Sequence, residues 1–256
     1  MKSLSDFTPR LPQSFLIVGS PGTAKTTLAL QLPKPFILDC DDNLSGPVRY
    51  LKSLNKLNGP VFFDTPLRLA DGKPCPREQQ YDRSIALLKE ACESPQVETL
   101  ILDTLTSFTE MMFTKTLIVN GKKLGDNVRT FDPKFEYAEW HTFLKIFTQT
   151  IYWLKSSGKR ICLTAHIEVD KDELTGTLFK FLKCPGQFRN TISGLFEEVW
   201  ECYIESTGAG STAKAVRKVR TSPDARSIHL GLKSAAGLGA TFDADMDTII
   251  NKLSPA

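Results

Sequence analysis

The stretch SFLIVGSPGTAKTT, Ser14 to Thr27, constrains this chain more than any other. An apolar run stops at Gly19. Lys25 follows, then Thr26 and Thr27, then an apolar helical pattern. That is a strand, a tight loop and a helix start, with a lysine where a phosphate sits in P-loops. One position departs from the usual pattern: Ala24 stands where a second glycine is expected.

Phosphate needs dense positive potential without bulk. Consecutive backbone N–H groups over Gly19, Ser20, Pro21, Gly22, Thr23, Ala24, Lys25, Thr26 and Thr27 would supply it at the mouth of a helix, although Pro21 itself has no N–H. Lys25 would reach the outer phosphates as a point charge. The Thr26 hydroxyl would help hold Mg²⁺. Ala24 carries a Cβ, so a left-handed backbone there would be strained. The loop is nonetheless similar to that of replicative minichromosome-maintenance helicases, which reads Gly-Asp-Pro-Gly-Thr-Ala-Lys-Ser. That resemblance implies that alanine is compatible with nucleotide binding.

The chain has 256 residues, of which 41% are hydrophobic and 24% charged, ordinary for a globular protein. A net charge of +3 is too small to argue for nucleic acid by itself. Residues Met1 to Asp6 contain no apolar signal core, and no apolar run reaches membrane-span length, so a cytoplasmic chain is expected. The six cysteines are scattered without a Cys-x-x-Cys pair, which reads as reduced structural thiols. Cys162 and His166 are close in sequence but lie along one apparent strand. Their separation of about 13 Å is too wide for two ligands of one zinc.

Strand and helix patterns alternate, which predicts an α/β fold with a mainly parallel sheet. Strands are expected at Phe15 to Val18, Pro35 to Asp39, Thr99 to Asp103 and Arg160 to Ala165, the last ending at His166. Helices are expected at Lys25 to Leu32, Arg77 to Glu93, 104–118 and Phe135 to Lys155. Residues 43–76 are rich in turn formers, with a short strand at Val61 to Phe63. Polar loops are expected at Asn120 to Pro133 and over about 168–189. Glu198 to Glu205 and Lys214 to Thr221 flank Gly208 as a hairpin. A final helix is expected over Ala244 to Leu253. The alternation predicts a single domain over 1–256, with a core over about 12–232 and a helical tail over about 241–256.

Asp103 ends the third main strand. An aspartate there orients Mg²⁺ beside a P-loop, or else caps the following helix. Its follower, Thr104, cannot act as a base. Hydrolysis then needs a carboxylate from elsewhere, and the end of the second strand offers Asp39, Asp41 and Asp42. Ligands of open α/β sheets lie at the carboxyl ends of strands, so Asp41 or Asp39 could orient the attacking water. The plain alternative is a solvated acidic turn.

The order of these parts resembles the RecA fold: Gly19 to Thr27, Ile37 to Asp41, Leu100 to Thr104 and Leu163 to His166. In that family a glutamate at the end of the second strand is catalytic and a polar residue ending the fourth is a phosphate sensor. Asp41 and His166 match those positions. The shorter aspartate implies slow turnover. More narrowly, Thr164-Ala165-His166, the polar loop after it and Gly194 to Trp200 look like the phage-encoded, single-domain RecA-like proteins of the Sak-type annealing group. The likeness covers about residues 14–230. It implies a RecA-like P-loop NTPase that binds ATP and single-stranded DNA and self-associates into a ring or filament. A single-strand DNA-binding protein is a possible further partner, and the setting is the host cytoplasm. A helicase motor, a helicase loader or a nucleotide-dependent switch on the same fold are the alternatives.

In RecA-like proteins two loops carry DNA. The matching stretches here hold Lys122, Lys123 and Arg129, then Lys180, Lys183 and Arg189, with Phe179, Phe181 and Phe188 interleaved. Cations with aromatics suit single strands, because bases stack and phosphates pair. Charged loops are more often simply solvated. Arg217, Lys218 and Arg220 lie on a strand with cations on both faces. Such a strand blocks unwanted edge pairing, or one cation reaches a neighbour's nucleotide in trans.

Overall fold

Every residue of β1 (Ser14–Gly19), β2 (Pro35–Asp39) and β4 (Thr99–Asp103) is buried, as continuous apolar strands covered on both faces must be. The structure is a computed structural model and describes residues 12–57, 59–125, 132–173, 176–184, 188–189, 191–208, 214–234, 238–246 and 249. The other strands are β3 (Phe62–Asp64), β5 (Arg160–Lys171), β6 (Leu178–Leu182), β7 (Glu198–Thr207), β8 (Lys214–Arg220) and β9 (Thr241–Asp243). Their order across the sheet is β3-β2-β4-β5-β1-β7-β8-β9, with β6 paired to β5 off that path. From β3 to β7 neighbours run parallel; β8 and β9 add antiparallel partners.

Side chains alternate across this sheet. Leu16 and Val18 join one core with Leu38, Leu102 and Leu163, covered by α3 (Gln80–Glu93), α4 (Leu105–Val119) and α5 (Tyr137–Ser156). Phe15 and Ile17 join the other with Ile37, Ile101 and Trp200, covered by α1 (Lys25–Ala29) and α2 (Ser45–Ser53). β5 lies between the P-loop strand β1 and the aspartate strand β4, so the carboxyl ends of all three meet at one edge.

Several boundaries differ from expectation. The helix expected to reach Leu32 ends at Ala29. Gln31 N–H donates to Leu28 O and Leu32 N–H to Ala29 O, tightening the last turn ahead of Pro33. α2 went unassigned because Leu51 is its one buried residue; Pro47 fits its first turn, where a missing N–H costs nothing. β5 does not stop at His166. It continues to Lys171, because Ile167 to Lys171 pair antiparallel with β6. Much of the expected polar loop over 168–189 is therefore a hairpin. The tail expected to be helical over 241–256 begins instead with β9, where Phe242 pairs with Val219 and meets the Trp200 edge. Met246 and Ile249 are buried against the second core, and residues 251–256 lie outside the described residues.

Phe147 on α5 is fully buried, with its ring 4.1 Å from Phe188. Phe147→Ala should cost about 3–5 kcal/mol in urea unfolding. Tyr137→Ala, at an 88% exposed position of the same helix, should change stability by about 0.5 kcal/mol or less. Comparable losses for the two would contradict this core.

Candidate nucleotide site

Gly19 ends β1 where the chain must pass between the Cys202 carbonyl and Thr23. A Cβ there would lie 2.4 Å from the Cys202 oxygen and 2.6 Å from Thr23 Oγ1. The loop then turns through Gly22 (φ 79°) and Ala24 (φ 74°, ψ 26°) into α1. Ala24 is in the left-handed region, which the missing glycine would have entered freely.

Lys25 is buried, and its ammonium donates to the carbonyls of Gly19 and Ser20, each at 3.0 Å. Burial pulls its pKa down from the usual lysine value. Nζ also lies 3.4 Å from His166 Nδ1. Burial, and then Lys25, lower the His166 pKa from the ordinary histidine value, which favours the neutral ring. His166 is not at a strand end. It sits opposite Gly19 where β5 stops pairing with β1, and its backbone N–H donates to Thr106 Oγ1 at 3.1 Å.

Thr26 Oγ1 donates to both Asp103 oxygens, at 3.1 and 2.9 Å, and Thr164 Oγ1 donates to Oδ1. Burial pushes Asp103 up to about 6, while the two hydroxyl bonds pull the other way. A hydroxyl and a carboxylate side by side, both oxygen donors, suit Mg²⁺, which takes one or two protein oxygens and keeps phosphates and water. Asp41 lines the same cavity, and its carboxylate accepts from Ser107 Oγ. Asp39 is engaged differently. It accepts from the backbone of Asp41 and Asn43, at 3.1 and 2.9 Å, and so shapes the turn that presents Asp41. A cavity of about 410 Å³ lies over Lys25, Thr26, Asp41, Asp103 and His166.

The expected DNA and trans residues are placed less uniformly. Lys122 lies 3.5 Å from Glu136 and 3.3 Å from Glu139. Lys180 pairs with buried Glu201, and Arg189 with Glu168 at 3.0 Å while lying 4.3 Å over the Phe181 ring. Lys123 and Lys183 are exposed; Arg129 lies outside the described residues. Lys218 pairs with Asp243 at 2.8 Å, and Arg220 pairs with Asp224 and stacks on Tyr203. Arg217, one of the three cations read as edge protection or as a trans contact, lines this chain's own cavity with its guanidinium 5.1 Å from the Tyr50 ring centre. Sequence reasoning missed Thr164, Ser107 and Tyr50. Thr164 was legible in principle: it stands two residues before His166 on one strand, hence on the same face. Tyr50 lay in the unassigned segment.

A mainly parallel sheet with β5 between the P-loop strand and the aspartate strand, and these groups at its edge, is the fold of the RecA-like P-loop ATPases. Residues 11–225 match the family model described as an AAA domain, and the chain belongs to that family. No curated protein matches the chain. Among solved structures, a KaiC-like protein from Pyrococcus horikoshii OT3 is similar at 13% identity and a TM-score of 0.46, over 82% of this chain and 79% of that one. The flagellar accessory protein FlaH from Methanocaldococcus jannaschii is similar at 11% identity and a TM-score of 0.38, over the same shares, 82% and 79%.

Gly19→Ala should lower nucleotide affinity about tenfold or more, because backbone at 2.4 Å cannot yield without moving the loop. Ala24→Gly should bind at least as well, with stability changed by about 1 kcal/mol or less as strain relief and chain entropy oppose. Titration with a fluorescent ATP analogue checks both. Full affinity in Gly19→Ala would contradict the close approach.

Proposed function

We propose that this chain is a Mg²⁺-dependent ATPase whose turnover is coupled to single-stranded DNA, in strand annealing or homologous recombination. The observation that carries the catalytic half is the meeting of Lys25, Thr26, Asp41, Asp103 and His166 on one cavity. Thr26 and Asp103 would hold Mg²⁺, which when bound neutralises charge on the outer phosphates. Lys25 exchanges the Gly19 and Ser20 carbonyls for phosphate oxygens. Asp41, steadied by Ser107, orients the attacking water. His166 lines the same cavity beside Lys25, placed to meet the γ-phosphate by hydrogen bonding.

The DNA half is supported by the face of the β5–β6 hairpin. Phe181 stacks on His229 with ring centres 4.6 Å apart, Phe179 meets the same ring at 5.1 Å, and Arg189 covers Phe181. Such layers accept bases without regard to sequence. Lys123 and Lys183 supply exposed charge. Self-association into a ring or filament belongs to this reading, with Lys218 or Arg220 giving up an internal carboxylate for a neighbour's phosphate. The resemblance to the phage annealing group supports the biological setting. A nucleotide switch with little hydrolysis is the second reading, favoured by the short aspartate at position 41 and by Ala24 in the left-handed region of the loop.

Lys25→Ala should remove measurable ATP binding in calorimetry; retained affinity would refute the cradle. Chelating Mg²⁺ should stop turnover. Single-stranded DNA should raise turnover, and its absence of effect with intact ATP binding would select the switch. Affinity for single-stranded DNA should fall about tenfold between about 50 and about 200 mM salt, the response of two or three phosphate contacts. A flat response would remove the electrostatic part.

A further inference from the structure

We propose that Arg220 is a toggle between two carboxylates, and that its position links the single-stranded DNA face to the nucleotide site. This rests on the ATP and DNA readings above and names the residue that connects the two. The carboxylates differ in burial. Glu201 on β7 is 1% exposed, whereas the Asp224 side chain is 45% exposed. Lys180 donates to Glu201 Oε1. Glu201 Oε2 is buried without a hydrogen-bond partner among the described residues, and Arg220 Nη1 stands 3.6 Å from it. The same nitrogen donates instead to Asp224 Oδ2.

A buried carboxylate oxygen without a donor is costly, and nearly all are satisfied. Moving Arg220 inward would satisfy Oε2 and leave Asp224 to water, which replaces an exposed ion pair at little cost. The Tyr203 ring centre lies 4.7 Å from the guanidinium carbon, so the ring guides the group as it slides from one partner to the other. Two arrangements of similar energy form an element that a ligand can bias.

Each partner belongs to a different site. Asp224 Oδ1 accepts from the backbone of Arg226 and Ser227 and from Ser227 Oγ, which fixes the turn before His229. Lys180 N–H donates to Arg226 O at 2.7 Å, so this turn is joined to β6, whose Phe179 and Phe181 meet the His229 ring. Phosphates of a strand laid across that face repel the exposed Asp224 carboxylate, and Arg220 then closes on Glu201. Glu201 is followed by Cys202, whose carbonyl lies against Gly19, and the Gly19 carbonyl accepts from Lys25 at 3.0 Å. A cation closing on Glu201 therefore bears on the wall of the phosphate loop. Arg220 acts through these groups as a positioning residue, which leaves Lys218 as the cation for a neighbour.

The test measures the affinity of a fluorescent ATP analogue with Mg²⁺, with and without a single-stranded oligonucleotide. The oligonucleotide should change the wild-type affinity about fivefold or more, the lower end of ordinary coupling between sites. Glu201→Gln keeps an acceptor for Lys180 but sets an amide donor against the Arg220 donor. It should hold Arg220 on Asp224, erase the oligonucleotide effect and leave the DNA-free affinity at its wild-type value. Asp224→Asn keeps the Oδ1 contacts of the turn and removes the charge that holds Arg220 outward. Its DNA-free affinity should sit at the value that wild type reaches only with DNA. An oligonucleotide effect of wild-type size in either variant, or a DNA-free affinity shifted the same way in both, would overturn the toggle. If Glu201→Gln does not fold, Asp224→Asn at its exposed turn decides alone. A wild-type affinity that DNA leaves unchanged, with both ligands bound, would also overturn the toggle while leaving the two sites standing. Wild type that binds no ATP, or no DNA, would overturn the reading beneath it.

Discussion

The bonds from Thr26 and Thr164 to the Asp103 carboxylate hold the site together. They tie the start of α1 to the end of β4 and the interior of β5, three elements that the chain supplies far apart. A buried carboxylate is costly to ionise, and burial raises Asp103 to about 6. Two hydroxyl donors offset part of that cost and leave the group aimed at the cavity. The rest of the cradle depends on this anchor. With α1 placed by Thr26, the loop before it must pass Cys202, which Gly19 permits and a side chain would not.

A second buried carboxylate governs the neighbouring strands. Glu201 on β7 is 1% exposed, and an unpaired charge there would be prohibitive. Lys180 reaches it from β6, and the Arg220 guanidinium stands 3.6 Å away on β8. The β5–β6 hairpin is thus bound by charge to the sheet beside the P-loop strand. Cations that look available for external phosphates in the sequence are in part committed inside the molecule.

How much the sequence disclosed depends on how local the cause was. β2 and β4 match their expected bounds because five-residue apolar runs ending in aspartate have one buried solution. α2 stayed hidden because Leu51 is its one buried residue and Val48 is only partly covered against the core. The extension of β5 stayed hidden because Glu168, Asp170 and Lys171 read as solvated loop. Their pairing with Phe181, Phe179 and Leu178 is what makes them a strand.

Local patterning was enough for the strand–loop–helix module, the lysine and threonine of the cradle, the aspartate at the end of β4 and the alternating α/β order. Those follow from short-range periodicity and from backbone that must be either paired or turned. Long-range packing set which cations are paired internally, brought Arg217 to its own chain's cavity, and put Gln31, Tyr50 and Arg217 around one compartment. Ion pairing and cavity walls depend on register between distant strands, and no local pattern of residues carries that information.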